Sequence, residues 1–252
     1  MLLNLPYFPP ADTVAIHQST DYYIPGFTLY CIFCVFLTDS SGDYDVQLIW
    51  GFAGWFSLVV MLRTESAIVK TQVMIAIAFA TLGEYFASVF MEGYIYRLGT
   101  VPAYIPPGHG MVYLTAIALA RSGVFQRHAR PIALLVLLCG GAWALAGFRG
   151  YTEQNDVTGL ILYIIFALCV WKGPSPMVYL GAFFMTSWLE LIGTFTGIWT
   201  WAEIDPASHL PQGNPPSGVA AYYCLVDAVA IGLSKPLLRS FRKLTFRALP
   251  KD

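Results

Sequence analysis

The chain has 252 residues, 57% of them hydrophobic and 12% charged, with a formal net charge of −1, and its mean hydropathy is +0.60. A soluble domain of this size carries roughly twice that charged fraction, and a near-neutral balance gives no footing for nucleic acid. Several apolar runs approach the roughly 20 residues that cross a bilayer, which predicts an all-α, multi-pass membrane protein.

Residues 1–22 are polar, carry prolines and read as an arm; they lack the basic start and continuous apolar core of a cleavable signal peptide. The first span is expected over Tyr23–Leu37, followed by an acidic loop, Asp39–Asp45, and a second span over Val46–Leu62. A basic connection, Arg63–Lys70, leads to a third span, Thr71–Met91, which contains Glu84. The long loop Glu92–Gly110 is rich in Tyr, Pro and Gly, and span four, Met111–Ala120, has so short an apolar core that it should begin inside that loop. Arg121–Arg130 carries three arginines and separates it from span five, Pro131–Phe148. After the polar loop Arg149–Asp156, span six covers Val157–Trp171 and span seven Met177–Gly197, with Glu190 inside it. A second long loop, Ile198–Ser217, precedes span eight, Gly218–Leu238, which holds Asp227; a basic tail follows.

Eight spans put both ends on one side. The loops on that side and the tail would hold twelve of the fourteen Lys and Arg residues, against Arg97 and Arg149 opposite, which predicts that both termini are cytoplasmic. Glu84 and Glu190 stand 106 residues apart, Pro106-Pro107 and Pro215-Pro216 109, Tyr113 and Tyr222 109, and Asp45-Val46 and Asp156-Val157 111. Matches in one order at nearly one spacing predict duplication of a four-span unit. The expected organisation is an arm (1–22), a first four-helix repeat (23–130), a second (131–238) and a tail (239–252). Four spans per unit make this a 4+4 parallel repeat, related by an axis along the membrane normal.

Three acids fall within spans: Glu84, Glu190 and Asp227. No Lys or Arg within a span is placed to pair with them, and an isolated ionised carboxylate there would be very costly, so at least some are expected to carry a proton at pH 7. Such acids are functional-site candidates, as general acids or as structural hydrogen-bond donors. Glu190, Gly193 and Gly197 share one helical face, which predicts that a second helix approaches closely beside the acid. Tyr223 lies one turn before Asp227 and could bond to it. Tyr113, Tyr222, Tyr223, Trp188 and Trp199 are candidate walls of a substrate pocket, with His109 and Glu92 at its edge. The prolines of the two long loops suit segments that dip between helices, or surface loops with interfacial aromatics.

No cofactor or metal is expected: a site from His109, Glu84 and Glu190 is conceivable, but no His-x-x-His or Glu-x-x-His spacing supports it. A single histidine near the acids cannot give bis-histidine haem ligation, and no lysine lies mid-span for a retinal Schiff base. The five cysteines all fall in apolar runs and read as packed thiols rather than a disulfide framework.

Glu190-Leu-Ile-Gly-Thr-Phe-Thr-Gly197 resembles an E-x-x-G-x-x-T-G signature of the integral-membrane carotenoid hydratases, the bisanhydrobacterioruberin hydratase type. Gly93-Tyr-Ile-Tyr-Arg-Leu-Gly99, Val101-Pro102 and Pro106 look like the continuation of the same signature. Here the two halves stand in different repeats, and Gly108-His109 replaces the expected tryptophan. In size and in its intramembrane acids the chain is also similar to the small helical meroterpenoid cyclases. The resemblance implies a membrane enzyme with a hydrophobic lipid or isoprenoid substrate.

Three functions fit these residues. An enzyme would protonate an alkene or epoxide with Glu190, Glu84 or Asp227 and stabilise the cation on aromatic faces, giving hydration, cyclisation or isomerisation. A parallel-repeat transporter would need an acid-lined path continuing to the cytoplasmic side. A non-catalytic subunit of a membrane complex would need a large apolar face and no closed pocket.

Overall fold

The computed structural model describes residues 19–248, with side chains described for 21–240. Most of the expected arm and the end of the tail lie outside the described residues. The described chain is all-helical apart from two three-residue strands: α1 (Tyr23–Asp39), α2 (Tyr44–Leu62), α3 (Ala67–Tyr85, continued by a π-helical turn, Phe86–Phe90), β1 (Tyr94–Tyr96), α4 (Ile105–Arg121), α5 (Gly123–Arg127), α6 (Ala129–Phe148), α7 (Val157–Lys172), α8 (Pro176–Phe195), β2 (Trp199–Trp201) and α9 (Ala220–Ala248). Five stretches are long and apolar enough to cross a membrane: α2, α3 with its π turn, α6, α8 and α9 as far as Ser240; α1 and α7 are apolar but shorter. The chain is therefore a multi-pass membrane protein. Its outer surface agrees: Phe52, Phe56, Leu82 and Leu138 are each at least 70% exposed, as expected of side chains that face lipid rather than water.

Helix starts follow local chemistry. Asp43 accepts from the backbone N–H groups of Asp45 and Val46 at the start of α2, Ser66 accepts from Val69 N–H at α3, and Asp156 accepts from Gly159 N–H at α7. The residue that caps α2 as Asp156 caps α7 is thus Asp43, two positions before the Asp45 expected from spacing alone. Pro106-Pro107 and Pro176 occupy first turns, of α4 and α8, where a missing N–H costs nothing. The prolines of the first long loop therefore start a helix instead of lining a dip. The expected division at 130/131 falls inside the first turn of α6.

The central helix is α4. It starts at Ile105, inside the expected loop, and is buried along nearly its whole length, packed by α1, α2, α3 and α8. Small or polar residues, Gly108, His109, Gly110 and Thr115, lower its apolarity; Thr115 Oγ1 donates to Thr28 Oγ1 of α1 at 2.9 Å. α3 packs on α9 as α4 packs on α8. At the end of α4, the buried Arg121 binds Asp21 (Nε, 2.8 Å) and Glu65 (Nη2, 2.6 Å). At the other end of the bundle Asp39 collects Tyr104 Oη (2.5 Å), Arg97 Nη2 (3.1 Å) and Gln47 Nε2 (3.2 Å). Burial and the bond to Asp39 push the Tyr104 hydroxyl above its ordinary range, so it acts as a donor. The cysteines are free; Cys224 is buried, Cys31, Cys34 and Cys169 are partly buried, and Cys139, against expectation, is exposed on α6.

Candidate active site

β1 and β2 belong to the two long loops and pair antiparallel, Tyr94 with Trp201, Ile95 with Thr200 and Tyr96 with Trp199. Alternation along the strands puts Tyr94, Tyr96, Trp199 and Trp201 on one buried face, and Ile95 and Thr200 on the exposed one. The sheet is pinned by Trp201 N–H to Asn214 Oδ1 (3.1 Å) and by Gln212 Nε2 to the Gly93 carbonyl (3.0 Å). The four rings contact one another, with Tyr94 and Trp201 centroids 4.6 Å apart and Tyr96 and Trp199 5.9 Å apart, and Phe36 of α1 meets Trp199 edge-on at 5.2 Å.

Each strand holds the acid of the helix before it. Tyr94 and Tyr96 both donate their hydroxyls to Glu84 Oε1, the latter at 2.5 Å. Trp199 and Trp201 both donate their indole N–H groups to Glu190 Oε2, at 2.9 and 3.0 Å. Burial raises both tyrosine hydroxyls well above their ordinary range, so they remain donors. The parallel extends to the main chain. Ser88 Oγ bonds the Glu84 carbonyl at 2.8 Å and Thr194 Oγ1 the Glu190 carbonyl at 2.7 Å, each from four residues on.

Local sequence explains how β2 reaches Glu190. α8 ends at Phe195, and Gly197, at φ +72°, makes the left-handed stop. Ile198 N–H bonds the Gly193 carbonyl and Gly197 N–H that of Thr194, the pairing that reverses a chain at a helix end. The strand folds back so that the Trp199 ring lies where a Gly193 side chain would stand. Gly193 thus admits an indole, not the second helix expected, and Gly197 lies beyond the helix. Gly193→Ala is expected to displace Trp199 and to cost roughly 1–3 kcal/mol, read as a lower melting temperature and a changed tryptophan fluorescence spectrum.

Beneath the rings lies a cavity of about 520 Å³ with predominantly apolar walls, within the range of small-molecule sites. Glu84, Glu190, His109, Trp199, Tyr222 and Tyr223 line it. His109 Nε2 lies 3.3 Å from Glu84 Oε2 and makes no hydrogen bond among the described residues. His109 Nδ1 lies 3.3 Å from Tyr223 Oη.

Other expected residues stand elsewhere. Asp227 is fully buried and, among the described residues, neither of its oxygens has a hydrogen-bond partner; the buried Tyr113 hydroxyl is likewise unpaired. Neither lines the cavity, and Tyr223 turns to His109 rather than to Asp227. Trp188, 43% exposed, and Glu92, exposed at φ 56°, are also outside the lining. Tyr94, Tyr96 and Trp201, donors absent from the expected pocket, are marked in the sequence by a Tyr-x-Tyr 10 and 12 residues after Glu84 and a Trp-x-Trp 9 and 11 residues after Glu190. Among the described residues no three His, Cys, Asp or Glu side chains cluster in a way that could hold a metal ion. Searches of protein-family models, curated proteins and solved structures find no match to this chain.

Proposed function

We propose that this protein is an integral-membrane enzyme that starts a reaction of a lipid or isoprenoid by protonating an alkene or epoxide, leading to hydration, cyclisation or isomerisation. One observation carries this reading: two carboxyl groups, each held by a pair of aromatic donors, face a single aromatic-roofed, largely apolar cavity. One acid transfers a proton to the substrate. The positive charge that develops is stabilised by ring faces and by the second carboxylate. Water, an internal alkene or loss of a neighbouring proton then quenches the cation. At about 520 Å³ the cavity suits the reacting end of a long chain, the remainder lying outside it.

The same reading takes the protein as eight spans with both termini cytoplasmic, in a 4+4 parallel repeat. Its support is the matched packing of α3 on α9 and α4 on α8, the strand pair centred on Ile95 and Thr200 and the one-per-half set of acid, i+4 hydroxyl and two aromatic donors. Each half thereby supplies one acid to a shared site.

The test is to incubate membranes containing the protein with polyprenyl, carotenoid and sterol-like lipids and to search for products by mass. Water addition, or an isomer of altered retention, is the expected result. No conversion of any of these, together with proton-dependent solute uptake, would replace this reading with a transporter.

A further inference from the structure

The two acids look alike but are held by different chemistry. Glu190 meets two indole N–H groups, which donate hydrogen bonds and do not exchange protons in ordinary acid–base chemistry. Glu84 has Oε1 held by two phenols, while Oε2 faces His109 Nε2 at 3.3 Å. Imidazole is the side chain suited to gain and lose a proton near neutral pH. We propose that Glu84 is the acid that gives up and regains the proton, with His109 as its proton carrier, Tyr223 as the residue that positions His109, and Glu190 as a fixed acceptor.

The assignment rests on the proton chemistry proposed above. When Glu84 acts, its O–H bond breaks and the alkene π pair forms a new C–H bond, leaving a carboxylate and a substrate cation. Quenching that cation releases one proton, from the attacking water or from a neighbouring carbon. His109 Nε2 takes this proton and passes it to the Glu84 carboxylate, so the proton consumed and the proton released balance. For that, Nε2 must be the free nitrogen of the neutral ring. Tyr223 sets this by accepting from Nδ1–H with its hydroxyl oxygen, 3.3 Å away. The groups that face His109 are Glu84 from α3 and Tyr223 from α9, with Tyr94 and Tyr96 of β1 and Glu190 of α8 around the same cavity. None of the last three makes a hydrogen bond to the ring.

The test needs no substrate. The full chain is placed in lipid nanodiscs at acidic pH, and deuterium exchange of buried carboxyl groups is followed by infrared difference spectroscopy, with bands assigned from Glu84→Gln and Glu190→Gln. His109→Gln is expected to slow exchange at Glu84 by at least about tenfold and to leave Glu190 unchanged. Equal slowing at both acids, or none at Glu84, would overturn the proposal. Tyr223→Phe guards against a His109 variant that does not fold. With ¹⁵N-labelled histidine, it is expected to convert one His109 tautomer into a mixture, and an unchanged tautomer refutes the role given to Tyr223. A failed product search with the expected exchange pattern would leave this division of labour standing while removing the reaction class.

Discussion

Glu84→Gln is expected to lower turnover by at least about two orders of magnitude, because general acid catalysis contributes typically 10²–10⁴-fold and an amide cannot deliver the proton. The fold should survive: the amide oxygen can accept from Tyr94 and Tyr96 as Oε1 does. Product formation per folded protein and a melting curve are measured together; unaltered turnover would show Glu84 to be a structural acid. Asp227→Asn is the informative partner. Asp227 is buried away from the cavity and bonds to nothing among the described residues, so its amide should retain turnover. This differs from the equal loss that its place within a span suggests.

Asp156→Ala is expected to be the most damaging change outside the cavity. Asp156 is buried and accepts from three backbone N–H groups: Gly159 (2.9 Å) and Gly213 (2.7 Å) on Oδ1, and Ser217 (2.8 Å) on Oδ2. The side chain thus caps α7 and fastens the second long loop just before α9. Alanine leaves these donors without the carboxylate, at roughly 1–3 kcal/mol for each buried group left unsatisfied, so a loss of about 3 kcal/mol or more is expected. Thermal unfolding in detergent measures it. Asp156→Asn should fall between, since its amide keeps one oxygen for Gly159 and Gly213 but turns a donor toward Ser217. Equal melting of wild type and the alanine variant would show that water satisfies these groups.

Helices were the most legible part of the chain, because an apolar run of sufficient length has few alternatives in lipid. The acids Glu84 and Glu190 were legible for the same reason: a carboxyl group in such a run stands out. Their donors were less so. Tyr94, Tyr96, Trp199 and Trp201 lie in Gly- and Pro-rich loops, where aromatics commonly serve as interfacial anchors, and a three-residue strand is too short to announce itself by periodicity. Only the strand partner, supplied from the other half, makes the alternation meaningful. Gly193 shows a second limit. Its spacing from Glu190 described the helix face correctly, but spacing cannot say whether a backbone or an indole fills the gap. Asp227 shows a third, since depth within a span does not tell which side of a helix meets the cavity.

The pairing of Tyr94 with Trp201 and Tyr96 with Trp199 also bears on the order in which the molecule is assembled. Synthesis runs from the N-terminus, so β1 is made long before its mate exists. Until Trp199–Trp201 emerges, the first strand has an open edge, and the roof above Glu84 is half built. Closing a contact between such distant segments carries a loop-closure cost that local helix formation does not. The cavity beneath the rings is therefore a late product of biogenesis, roofed over only when Trp199–Trp201 arrives to finish the ceiling.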